Sequence, residues 1–191
     1  MKKTKIGIVV FALLTLSAGL LVVTMAQDDV DETIADAMSA APASIAQDAT
    51  IVAYPDGPEL NVLREGTNDW LCMASSPRAV AEGLQDSACF DEVWQGYVDA
   101  FMAGETPEID RVGFSYMLAG DAGAGNVDPF AEGPEDDPTW HVGGPHIMIL
   151  MPDHDYTGVP TDHEYGGPYV MWADTPYAHI MIPVTDHEDH P

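Results

Sequence analysis

The last third of the chain holds three short apolar runs of one design: Gly143-Gly144-Pro145-His146-Ile147-Met148-Ile149, Gly166-Gly167-Pro168-Tyr169-Val170-Met171-Trp172 and Thr175-Pro176-Tyr177-Ala178-His179-Ile180-Met181-Ile182. Each has a proline near its start, β-forming residues throughout, and a methionine two residues after a histidine or tyrosine. Side chains alternate faces along a strand, so His146 shares a face with Met148, Tyr169 with Met171, and His179 with Met181. The opposite face is apolar as well. Runs that are apolar on both faces belong at the covered centre of a sheet, which predicts three central strands.

Alternation predicts further strands upstream. Thr50-Ile51-Val52-Ala53-Tyr54, the turn Pro55-Asp56-Gly57-Pro58 and Leu60-Asn61-Val62-Leu63-Arg64 read as a hairpin, and a second turn over 65–69 leads into Trp70-Leu71-Cys72-Met73 to complete a three-stranded meander. Val112-Gly113-Phe114-Ser115-Tyr116-Met117-Leu118 is another strand. Between these the period changes: Val93, Trp94, Tyr97, Val98 and Phe101 share one helical face, with Asp91 and Glu92 in the first turn and Gly104 behind the last, which predicts a helix over 90–103. Residues 119–142 form a long loop rich in Gly, Asp and Pro. The expected fold is a single α+β domain over 49–184: a mainly antiparallel β-sheet of about six strands with one covering helix.

The ends read differently. Lys2, Lys3 and Lys5 precede an uncharged apolar stretch from Ile6 to Val23 and small residues before Ala26, the layout of a signal peptide over 1–26 cleaved after Ala26. That predicts export to the periplasm or beyond the cell. The apolar stretch is also nearly long enough to span a bilayer, so an uncleaved N-terminal anchor in the inner membrane is the alternative. Residues 27–48 are acidic, Ala-rich and short of large apolar groups, which predicts a flexible linker, and 185–191 form an acidic tail.

Charge narrows the partners. The chain has 6 Lys and Arg against 32 Asp and Glu, a formal net charge of −26, and all three lysines lie in the signal segment. Removing them takes the charge to −29, with Arg64, Arg78 and Arg111 as the remaining cations. Such a surface repels phosphate backbones and anionic lipid heads, so nucleic acid and anionic membrane surfaces are disfavoured and cations are favoured. With 46% hydrophobic residues grouped into strand-length runs, the charge does not imply disorder. Cys72 and Cys89, an even pair in an exported chain, predict a disulfide whose 18-residue loop contributes about 3 kcal/mol.

Trp70-Leu71-Cys72-Met73, Gly113-Phe114-Ser115-Tyr116-Met117-Leu118, Asn126-Val127-Asp128-Pro129-Phe130, Gly144-Pro145-His146-Ile147-Met148 and Thr175-Pro176-Tyr177-Ala178-His179-Ile180-Met181-Ile182-Pro183-Val184 resemble a family of uncharacterised bacterial secreted proteins of unknown function. The resemblance covers roughly residues 60–184 and brings no activity, cofactor or catalytic residue with it.

Candidate chemistry is sparse. A Gly-x-Ser-x-Gly elbow, His-Glu-x-x-His, a phosphate-binding Gly-Lys loop and a dinucleotide fingerprint are all absent from the sequence, and Ser115 sits mid-strand. The expected function is therefore non-enzymatic binding or interaction by an exported acidic domain, with a hydrolase of unrecognised site as an alternative. A further alternative is soft-metal binding through His146, Met148, His179 and Met181, since imidazole and thioether suit copper(I). The link Ala173 to Tyr177 allows antiparallel pairing that in one register sets Met171 across from His179. The plainer reading makes these methionines core filler and the histidines hydrogen-bonded strand ends. Two weaker cation candidates remain. Asp153-His154-Asp155, Asp162-His163-Glu164 and Asp186-His187-Glu188 offer surface zinc ligands, and Asp121, Asn126 and Asp128 offer oxygens to calcium without the usual loop spacing.

Overall fold

The computed structural model describes residues 27–57 and 59–185; the segment over 1–26 expected to be a signal peptide, Pro58 and the tail from Asp186, with the tripeptide around His187, lie outside the described residues. The elements in order are α1 (27–39), α2 (Ala43–Ala46), β1 (Thr50–Val52), β2 (Val62–Arg64), β3 (Leu71–Met73), α3 (Pro77–Glu82), β4 (Ala88–Phe90), α4 (Glu92–Ala103), β5 (Gly113–Met117), β6 (His146–Leu150), β7 (Tyr169–Met171) and β8 (His179–Pro183). All the strands join one eight-stranded sheet in the order β2-β1-β3-β4-β5-β6-β8-β7. Every neighbouring pair is antiparallel except β1 and β3, which run parallel. The class is α+β with a mainly antiparallel sheet, but with eight strands and four helices rather than about six strands and one helix. Among the described residues no helix is long and apolar enough to cross a membrane.

The extra elements are short or lack large apolar side chains. Strand β4 is three residues long, and its neighbour β3 identifies it only through pairing. Helix α3 spans six residues between Ser76, whose side chain accepts from the Ala79 N–H, and Gly83 in the left-handed conformation at φ 74°. Instead of the linker expected over 27–48, the chain there forms α1 and α2. Ala37, Ala40, Ala46 and Ala49 are fully buried against Ile51, Cys72 and Cys89. Alanine brings little area of its own, yet its small side chain lets a helix backbone lie close to the sheet, and composition alone misses that gain. Polar ties complete the seat: Arg64 Nη2 donates to the Ala46 and Ala49 carbonyls, and Asp36 accepts from both the N–H and the hydroxyl of Ser75.

The first three strands do not form the expected meander. The chain leaving β2 crosses the start of β1 and enters β3 on its far side, so β1 lies between them. Gly66 makes the crossing possible, because a Cβ there would sit 2.2 Å from the Thr50 nitrogen. The Thr67 and Asn68 N–H groups then both donate to the Asp48 carbonyl.

The sheet has two covered faces. On the α1 side, Cys72 and Cys89 stand directly opposite each other with Cα atoms 4.0 Å apart and form the disulfide. The other side carries Phe90, Met148, Leu150, Tyr169, Met171 and Met181 beneath α4, which packs Trp94 and Tyr97 onto them. Asp91 caps α4 by accepting from the Trp94 N–H and also takes the Phe114 N–H of β5, while the Tyr97 hydroxyl donates to the Tyr177 carbonyl. These bonds fix the helix over the sheet at both its start and its middle.

The loop over 119–142 is organised by Asp137, which is 2% exposed. One carboxylate oxygen accepts from the Val127 and Asp128 N–H groups, the other from the N–H and hydroxyl of Thr139. Gly125 passes so close that a Cβ would lie 2.3 Å from Asp137 Oδ2. Arg78 of α3 donates to the Ala122 carbonyl and stacks over Trp140, holding the loop's first turn against α3.

Candidate functional site

Register decides which side chains meet. Met117 of β5 pairs with His146 of β6, Met148 of β6 with Met181 of β8, and β7 places Tyr169 beside Met181 and Met171 beside His179. Because faces alternate along each strand, all of these lie on the α4 side. Met73, Met117, Met148, Met171 and Met181 line one cavity of about 270 Å³ together with His146 and His179. Trp94, Tyr97 and Trp172 close around His179, with ring centroids 5.4, 6.2 and 5.0 Å from its own.

The two imidazoles are in the same state. His146 and His179 are 3% and 2% exposed. His146 Nδ1 lies 2.7 Å from the Gly144 carbonyl oxygen and His179 Nδ1 3.0 Å from that of Tyr177. A carbonyl oxygen only accepts, so each Nδ1 carries the hydrogen. Burial pushes the His179 pKa down to about 4. It pushes His146 below the usual histidine value too, although the nearby Asp121 carboxylate and the bond to Gly144 oppose the shift. Both rings are therefore neutral at pH 7, with a bare lone pair on Nε2. Neither Nε2 has a hydrogen-bond partner, and Trp94 Nε1 and Ser115 Oγ on the same face share that condition. An unpaired buried acceptor costs about 1–3 kcal/mol, a penalty a ligand in the cavity would remove.

The donor set is specific in character. Two neutral nitrogens and several thioethers match a soft monovalent ion better than zinc, calcium or magnesium. Of the carboxylates that also line the cavity, Asp121 accepts from the Gly123 and Gly143 N–H groups and Asp86 from the N–H and hydroxyl of Ser76. The Nδ1–H bonds to carbonyls are the outer contacts that orient metal-binding histidines. The four residues named from the sequence do line one cavity, and Met171 does stand opposite His179. Yet His146 and His179 are not neighbours: His146 faces Pro183, four residues along β8 from His179. Sequence reasoning missed Met73 and Met117; both sit in recognisable strands, but only the β3–β4–β5–β6 pairing brings them to this face.

The other candidates stay apart. His163 stacks on His141 with ring centroids 4.3 Å apart, whereas His154 sits in a separate turn beside Tyr156. Among the described residues no group of three or more His, Cys, Asp or Glu side chains could hold a metal ion. Asp121 accepts from Gly123 and Gly143, Asp128 from Phe130, and Asn126 donates to the Thr161 carbonyl, all of it bonding that shapes the loop. Ser115 is fully buried and its hydroxyl lacks a partner, so no base stands ready to activate it. No family model, no curated protein and no solved structure matches the chain, so the chemistry of the site rests on its geometry.

Proposed function

We propose that the protein is an exported, non-enzymatic binding domain that takes up copper(I) in the cavity beneath α4, through His146, Met148, His179 and Met181. One observation carries the reading: two buried imidazoles, each fixed as the Nδ1–H tautomer, hold their Nε2 lone pairs buried and unpartnered, and both residues line a cavity together with methionines. Most buried polar side-chain atoms in folded proteins have a hydrogen-bond partner, and here the nitrogen without one is the one that could ligate. Thioether and neutral imidazole select copper(I) over the harder divalent ions of an extracellular medium. The net charge of −26 favours approach of any cation, and a buried disulfide suits an oxidising compartment.

Anaerobic titration against a chromophoric copper(I) chelator tests this. The wild-type protein should withdraw copper(I) from the chelator, and it should leave zinc with an equivalent zinc indicator. The double variant His146→Ala, His179→Ala should lose the competition. Equal competition by the double variant, checked for folding by near-ultraviolet circular dichroism, would return the methionines to a packing role.

A further inference from the structure

We infer that the cavity takes two copper(I) ions rather than one, held in equivalent sets: His146, Met148 and Met117 at one end, His179, Met181 and Met171 at the other. This rests on the copper reading above. The sequence repeats His-Ile-Met-Ile at 146–149 and 179–182. The structure places the two copies on adjacent antiparallel strands with Met148 opposite Met181. An antiparallel pair has a local two-fold axis through such a pair, and that axis carries His146 onto His179. It also carries β5 onto β7, and the residue facing His146, Met117, onto the residue facing His179, Met171. Each histidine thus has one methionine two residues on along its own strand and one directly across on the outer neighbour.

The symmetry separates the imidazoles. Four residues along β8 put about 14 Å of backbone between their strand positions, whereas two imidazoles on one ion, with bonds of about 2 Å, bring their nitrogens within about 4 Å. Each ring also leans back along its own strand, because its Nδ1 reaches the carbonyl two residues earlier, Gly144 or Tyr177. The strands are antiparallel, so these two bonds run in opposite directions along the sheet. One nitrogen and two thioethers from two neighbouring strands form a low-coordinate neutral set at each end, suited to copper(I).

Copper content at saturation of the purified full chain, loaded anaerobically and desalted, separates the possibilities. Two equivalents are expected for the wild type and one for either His146→Ala or His179→Ala. Adding a volume-conserving Met→Leu change assigns the sets: His146→Ala with Met117→Leu removes two ligands of one set and should keep one equivalent, while His146→Ala with Met171→Leu damages both sets and should keep less than one. One equivalent in the wild type, or the same content in these two double variants, overturns the two-site inference and leaves the copper reading standing. No retained copper overturns both.

Discussion

Met148 and Met181 face each other across β6 and β8, and the histidine two residues before each lines the same cavity with its Nε2 buried and unpartnered. The relationship leaves two neutral imidazoles buried on the α4 face of the sheet, each with an unsatisfied acceptor. It also has a consequence for stability.

The histidines make the protein acid-sensitive before its carboxylates titrate. The folded-state pKa of His179 is held down at about 4, below its ordinary 6.5, and His146 is shifted in the same direction. Between those values the unfolded chain binds protons that the folded chain refuses, so stability is whole above about pH 7 and falls as pH drops from 6.5 towards 4. For His179 alone the loss amounts to about 3 kcal/mol. Urea midpoints at pH 7.5 and 4.5 should show a larger drop for the wild type than for His179→Gln. Equal drops would contradict the buried neutral state.

Asp137 governs the loop that borders the cavity. Burial alone would push its carboxyl up, but hydrogen bonds from Thr139, Asp128 and Val127 outweigh that and hold it at about 2. Its contribution is present above the unfolded value near 3.8 and is lost as pH falls from there towards 2. At neutral pH, Asp137→Ala leaves several donors unpaired and should cost at least about 3 kcal/mol, read as a lower urea midpoint. Asp136→Ala at the exposed neighbouring position serves as the control and should change little. A drop of equal size there would remove the special role of Asp137.

Salt should stabilise the fold. Of the three arginines among the described residues, Arg78 pairs with Glu82 and Arg111 with Glu92 and Asp110, all exposed, while Arg64 donates to backbone carbonyls, against 32 acids in the chain. Exposed pairs of this kind contribute little, so most carboxylate repulsion is uncompensated. Raising sodium chloride from 0.1 M to 1 M shortens the Debye length from about 10 Å to about 3 Å, and the melting temperature should climb over that range. Chloride is the salt to use, because sulfate stabilises proteins generally by exclusion from their surface. A flat response would show that the acids are already well spaced.

Local pattern made part of this architecture legible. The helical stripe from Val93 to Phe101 marks α4, two-residue alternation places each histidine with its methionine, and a short link sets Met171 across from His179. The features that sequence conceals are non-local or small. Nothing near Met117 announces that it pairs with His146 across a 28-residue connection, and β3 joins β1 in parallel only because Gly66 permits a close crossing. The Ala-rich α1 lacks the large apolar stripe by which a helix is recognised. The unpartnered Nε2 atoms depend on which carbonyls accept the Nδ1 hydrogens, a matter of backbone geometry around Gly144 and Tyr177.

The central claim concerns two nitrogen atoms, and two-bond proton–nitrogen correlation spectra of the histidine side chains observe them directly. At pH 7 without metal, the signals of His146 and His179, assigned by single substitution to Gln, should report the Nδ1–H tautomer with an unprotonated Nε2. On anaerobic addition of copper(I), those two Nε2 resonances should move while the Nε2 resonance of His154 stays in place. A hydrogen on Nε2 in the metal-free protein, or Nε2 resonances unmoved at saturating copper(I), would contradict the account.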